Sequence, residues 1–205
     1  MTTQPNDTWE LRGGAAYTFP ANDNGYLTRP LILVGDAGTE PDALIGSADH
    51  GSYSLLAETK ARGLDLVLVA LAADSTMTGA GGTVENAVKR AIAEVLGSEP
   101  LVVGGTGHGA LAARYALASL EHRAEDHRTG LHFTHNGAAP AFEDEAELSR
   151  LNGPRIPRRL RLLDSGASDG LADDWADDEI RGEDGQTGPL LSKEYGSWLL
   201  DRLPQ

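Results

Sequence analysis

Four titratable side chains in this sequence stand just past short aliphatic runs: Asp36 in VGDAGTEPD, Asp74 in ALAADSTMTGAGG, His108 in VVGGTGHGAL and His135 in LHFTHNGAAP. Carboxylate and imidazole groups exchange protons near neutral pH, so these four are candidates for general acid or base work. Each position also has a plainer reading. An aspartate after a strand serves equally as a turn former or N-cap. A histidine at a helix start can simply face solvent, and His122 and His127 in EHRAEDHR read as solvated residues at a helix end. There is no cysteine, which excludes thiolate catalysis, disulfides and cysteine-ligated metal. No metal site is expected either, because His122 and His127 lack the i, i+4 spacing of a helical zinc pair, and the acidic DGLADDWADDE lacks the ligand order of a calcium loop. The glycine-rich TGAGGT before a helix has no P-loop lysine, so no nucleotide cofactor is expected.

Catalytic groups must be carried by elements, and the aliphatic runs supply them. RPLILVG (Arg29 to Gly35), LDLVLVAL (Leu64 to Leu71) and LVVGG (Leu101 to Gly105) are short, rich in branched residues and closed by glycine or a turn, as strands buried on both faces are. SYSLLAETKARG and TVENAVKRAIAEVLG lie between them and read as helices, the second with Thr83 as N-cap and Gly97 as C-cap. Strand alternating with helix implies a parallel sheet flanked by helices. LHF (Leu131 to Phe133) and RLRLLD (Arg159 to Asp164) add two strands around a helical FEDEAELSRL, and KEYGSWLLDRL suggests a terminal helix. The acidic, glycine-rich stretch 165–189 has no sustained period and reads as a loop or flap on a single domain spanning 1–205. Thirty-one acidic residues against 17 basic ones give a formal charge of −14, which disfavours nucleic acid and anionic membrane surfaces as partners. No stretch reaches the roughly 18 apolar residues of a membrane span, and the expected location is cytoplasmic.

The segment GTGHGALAARYAL, Gly105 to Leu117, resembles the nucleophile elbow of the α/β-hydrolases, in which G-x-S-x-G lies between a strand and a helix. Gly105 and Gly109 match the flanking glycines, Leu111 follows, and Ala113 to Leu117 match the helix, which leaves Gly107 where the family carries its serine. Taking Thr106 as the nucleophile instead places His108 where the turn needs a small residue and shifts the helix out of register. The resemblance extends less specifically over about Arg29 to Pro140. Its triad order is serine, acid, histidine, which assigns the acid to Asp164, yet no histidine follows Asp164. Nucleophile and base are both missing, so ordinary serine hydrolysis is not expected.

The resemblance implies a compact α/β-hydrolase-like fold with little or no cap domain, and a surviving oxyanion site at the elbow. The expected catalytic set is Asp36, His108, Asp74 and His135, with Gly35, Ala37, Thr106, Gly107 and Asn136 around the substrate. The corresponding activity is non-hydrolytic acid/base chemistry, a cyclisation, elimination or isomerisation of a small carbonyl-containing molecule, without a cofactor. The alternative is a catalytically inactive pseudo-hydrolase that binds a ligand or a protein. A small molecule is the expected partner, and a homo-oligomer is left open.

Overall fold

A computed structural model describes residues 3–182 and 188–203 of the chain. Three runs without a polar break form its centre: β3 (Pro30–Val34), β6 (Asp65–Leu71) and β7 (Leu101–Thr106), in which every residue is buried. They belong to an eight-stranded sheet in the order β1-β2-β6-β3-β7-β8-β9-β10, with β1 (Asp7–Leu11), β2 (Gly14–Phe19), β8 (Thr129–His135), β9 (Arg158–Asp164) and β10 (Asp178–Gly182) outside them. From β6 to β10 all pairing is parallel, and the hairpin β1–β2 joins β6 antiparallel. A two-stranded ribbon, β4 (Asp49–His50) and β5 (Tyr53–Ser54), stands apart.

The period-2 alternation of the strands divides the core in two. Ile32, Val34, Val67, Val69 and Val103 face α3 (Met77–Glu94) and α4 (Gly107–His122), which return Val84, Val88, Ala113 and Leu117. Leu31, Leu33, Leu66, Leu68, Phe133 and Leu160 face the other way, onto α1 (Pro41–Ala48), α2 (Leu55–Ala61) and α6 (Lys193–Leu200). The remaining helix, α5 (Phe142–Leu151), touches α4. Asp65 is fully buried, and its carboxylate accepts backbone N–H groups of Ala21, Thr28 and Arg29, which fixes the entry into β3. Its role is architectural.

Several expectations are corrected. Helix α3 starts at Met77 with Thr76 as N-cap, so TGAGG is helical; Thr83 lies inside the helix, buried, and donates to the Arg12 carbonyl. Three glycines weaken local helix preference, but Gly81 is needed because a Cβ there would sit 2.2 Å from the Tyr115 ring. Helix α4 starts at Gly107, the elbow position itself. The stretch 165–189 is not loop throughout: Asp178–Gly182 pairs with β9 as an edge strand, where backbone pairing outweighs a polar sequence, and residues 183–187 lie outside the described ones. His127 is buried rather than solvated, with its Nδ1 accepting the Thr129 N–H.

Candidate functional site

The elbow is built by glycines that permit close approach. A Cβ on Gly109 would lie 2.3 Å from the Gly35 carbonyl oxygen and 2.5 Å from that of Val34, and a Cβ on Gly105 would lie 2.6 Å from the Gly109 backbone. Only hydrogen at both positions lets the first turn of α4 press against β3 and β7. Thr106 caps the helix with an extended backbone and a buried side chain, and Gly107 takes φ +51°, the left-handed region that favours glycine. At Gly35, a Cβ would meet the Leu44 side chain at 2.8 Å, so that glycine seats α1 against the end of β3.

Asp36 follows at once, and its carboxylate turns to the elbow. Its Oδ1 accepts the Ala37 N–H at 3.0 Å and the His108 N–H at 2.8 Å, and it lies 3.1 Å from His108 Nδ1. These two amides come from the residue after the elbow position and from the loop after β3, where the fold sets its oxyanion donors. A Cβ on Gly107 would stand 2.6 Å from Asp36 Cγ and within 2.8 Å of both carboxylate oxygens. The carboxylate therefore occupies the space an elbow side chain would fill and holds both amide donors. The pair is open to water, with side-chain exposures of 52% for Asp36 and 69% for His108.

A second cluster forms at the ends of β8 and β9. Asn136, at φ +45°, donates its amide to Asp164 Oδ2 at 2.8 Å and accepts the Asp164 N–H at 2.9 Å. The Tyr195 hydroxyl, reaching in from α6, lies 2.9 Å from Asp164 Oδ1 and 2.7 Å from the Leu163 carbonyl, and accepts the Gly182 N–H at 2.9 Å. Burial, reinforced by the Asp164 carboxylate, pushes the phenol up to about 12, so it remains a donor. His135 lies with its ring 5.0 Å from that of Tyr195, and its Nε2 is 3.4 Å from the Asn136 amide. Burial pulls its pKa down against the pull of Asp164, which favours the neutral imidazole. The two clusters are linked by the backbone, since Ala138 N–H donates to the Gly107 carbonyl and Thr106 lies beside His135 in the parallel register.

Of the expected site residues, the structure brings Gly35, Asp36, Ala37, Gly107 and His108 together at the elbow, with Thr106 buried beneath it. His135 and Asn136 belong to the Asp164 cluster instead. Asp74 is exposed in the β6–α3 turn, and no hydrogen bond ties it to Asp36. Sequence reasoning missed Tyr195, in the expected terminal helix KEYGSWLLDRL, as the partner of Asp164. Among the described residues no group of three or more histidine and acidic side chains is arranged to hold a metal ion, and no helix is long and apolar enough to cross a membrane.

Solved structures reproduce this arrangement of sheet and helices. An esterase from Pyrobaculum calidifontis matches with TM-score 0.56 and 12% identity, over 86% of this chain and 75% of its own. A Rhizomucor miehei esterase matches with TM-score 0.61 and 11% identity, over 98% and 83%. The fold is that of the α/β-hydrolases. A puromycin-hydrolysing peptidase from Mycobacterium tuberculosis matches with TM-score 0.58 and 12% identity, over 95% of this chain but 37% of the peptidase. No family model and no curated protein matches the chain. At such identities the likeness concerns the α/β-hydrolase fold alone, and chemistry has to be argued from the elbow itself.

Proposed function

We propose that this chain is a pseudo-hydrolase, an α/β-hydrolase scaffold that binds a small ligand or a partner and performs no acyl transfer. The observation that carries the reading is the Asp36 carboxylate seated on the Ala37 and His108 amides, in the space an elbow side chain would fill. A substrate carbonyl would have to displace a charged group held by two backbone donors, and no serine stands behind it to attack. The exposure of Asp36 and His108 also withholds the dry surroundings that make such donors effective in catalysis. The test is turnover of p-nitrophenyl esters together with fluorophosphonate labelling. Neither is expected from the natural chain or from Gly107→Ser, whose new hydroxyl would still lack a histidine after Asp164. Robust labelling with ester turnover in either protein defeats the reading.

A second reading, non-hydrolytic acid/base catalysis on a small carbonyl compound, is favoured by one specific contact. His108 Nδ1 lies 3.1 Å from Asp36 Oδ1, while Oδ2 takes none of the three N–H contacts. An imidazole and a carboxylate in this relation can pass a proton between them. Base-promoted elimination of 5-nitrobenzisoxazole separates the two readings. The pseudo-hydrolase accelerates it no more than Asp36→Asn does, whereas an acid/base enzyme loses on the order of 10² or more of its rate in that variant.

A further inference from the structure

Away from the elbow, β8 and β9 carry an unusual inner face. Phe133, Leu160 and Leu162 point into the apolar core. The alternate residues His132, Thr134, Arg159 and Arg161 point the other way, with His132 beside Arg159 and Thr134 beside Arg161 in the parallel register. Arg161 is buried and fully matched, paired with Asp169 and lying 3.3 Å from Glu179. Its neighbours are matched only in part, since Arg159 has Asp177 no closer than 3.9 Å from its Nε. His132 is 0% exposed; its Nδ1 bonds the Val103 carbonyl at 2.8 Å, and its Nε2 has no partner. Thr134 Oγ1 and Arg159 Nε are likewise buried without a hydrogen bond.

Over this face, between α4, α5 and the loop leading to β10, lies a cleft of about 340 Å³ whose lining includes Arg114, Glu145, Ser149, Asn152, Arg159 and Trp175. Trp175 packs edge-on to His132 with ring centres 5.7 Å apart and takes the Arg159 guanidinium over its ring at 5.8 Å. Arg114 is the decisive residue. It is half-buried on α4, and among the described residues its guanidinium makes no hydrogen bond or ion pair. Burial lowers its pKa, and Glu145 and Asp169 act on it only through space. In a chain carrying 31 acidic residues, this guanidinium lines the cleft with its donors claimed by no protein acceptor among the described residues.

We propose that this cleft binds a small organic anion, a carboxylate or a phosphate monoester, gripped by the guanidinium fork of Arg114, with Arg159 as a second cation and Trp175 against its flat apolar part. Planar bidentate donors suit both oxyanions. The volume lies at the small end of metabolite sites, roughly 300 to 1,000 Å³. Arg114 is two helical turns, about 10 Å, beyond Gly107 along α4, so the inference stands whichever reading of the elbow holds.

The full chain is titrated with benzoate and with phenyl phosphate, following tryptophan fluorescence and the heat of binding. Saturable binding of either probe is expected, weakened at least tenfold in Arg114→Gln, tightened in Glu145→Gln and unchanged in Asp36→Ala. Binding of benzoate alone identifies carboxylate as the ligand group, and binding of phenyl phosphate alone identifies phosphate. Trp175→Phe should remove the fluorescence response and keep the heat. Without ligand, Arg114→Gln should melt no lower than the natural chain, since its guanidinium holds nothing together. A lower melting temperature assigns Arg114 a structural role and overturns the proposal. So does the absence of saturable binding of both probes at about 10 mM, or binding lost in Asp36→Ala but kept in Arg114→Gln.

Discussion

The elbow and the Asp164 corner stand at neighbouring strand ends of one sheet, and they are held in different ways. At the elbow the backbone is intact: Gly105 and Gly109 still bring α4 against β3, Gly107 still turns at φ +51°, and the two amides still converge. Its occupant is an exposed carboxylate from the loop after β3. At the corner the two oxygens of Asp164 are held by side chains, Asn136 on one and Tyr195 on the other. Backbone geometry is held by many contacts of the core and outlasts any single side chain. A side-chain network depends on each of its members, so a single substitution can break it.

The largest effect expected from breaking this comparison falls on the elbow's frame. Gly109→Ala forces a Cβ to within 2.3 Å of a backbone oxygen, with no flexible side chain to yield. Such overpacking should cost about 3 kcal/mol or more, read by urea denaturation. Gly82→Ala on α3 is the control: nothing lies within 4 Å of its Cβ, and it should stabilise by up to about 1 kcal/mol. Equal effects at the two sites would show that the elbow is not a rigid frame.

Next in size is an acid sensitivity that belongs to the buried half. Burial lowers His132 to about 4, so between its ordinary pKa of 6.5 and that value the unfolded chain binds the proton more readily than the folded one. Stability is then full above pH 6.5 and falls as pH drops through that window, by about 3 kcal/mol from this residue at 1.36 kcal/mol per unit. His127 and His135, lowered by burial too, act in the same direction. His132→Phe should flatten the profile; an unchanged slope from pH 7 to 4 would remove His132 as its source.

The frame was legible in the sequence because its causes are local and steric. Short aliphatic runs without polar breaks, closed by glycine or turns, read as buried strands, and glycine at 105, 107 and 109 marks a turn with no room. The hairpin β1–β2 was not legible, since DTWEL and GAAYTF are short and mixed in character, and neither was β10, whose DEIRG gains its pairing from β9 rather than from its own pattern. The start of α3 was missed because its glycines argue against helix while Tyr115 requires one of them. Least legible was the occupant of the elbow. His108 and Asp36 are 72 positions apart, and only the fold sets the carboxylate beside the missing Cβ.

A smaller loss is expected at the corner. Tyr195→Phe leaves the Gly182 N–H without its acceptor and Asp164 Oδ1 without the phenol, while keeping the ring packed. The cost should be about 1 to 3 kcal/mol, measured by thermal or urea unfolding. A loss well below that range would mean that water replaces the hydroxyl and that the corner is less dry than its burial indicates.

The smallest effect is the most specific, because it tests whether residue 107 and Asp36 exclude one another. Gly107→Ser introduces a Cβ that would lie 2.6 Å from Asp36 Cγ, on a backbone whose φ of +51° already disfavours it. Asp36→Ala alone removes an exposed carboxylate and should cost little. In the double variant the steric conflict is gone and only the backbone penalty remains. The serine should therefore cost about 1 kcal/mol less when Asp36 is already alanine, the coupling expected of residues in contact. Strict additivity would mean that the carboxylate moves aside freely and does not close the elbow. A favourable coupling with no gain of ester turnover in the double variant would separate the two defects: clearing the space admits the hydroxyl, and the absent histidine still leaves it without a base.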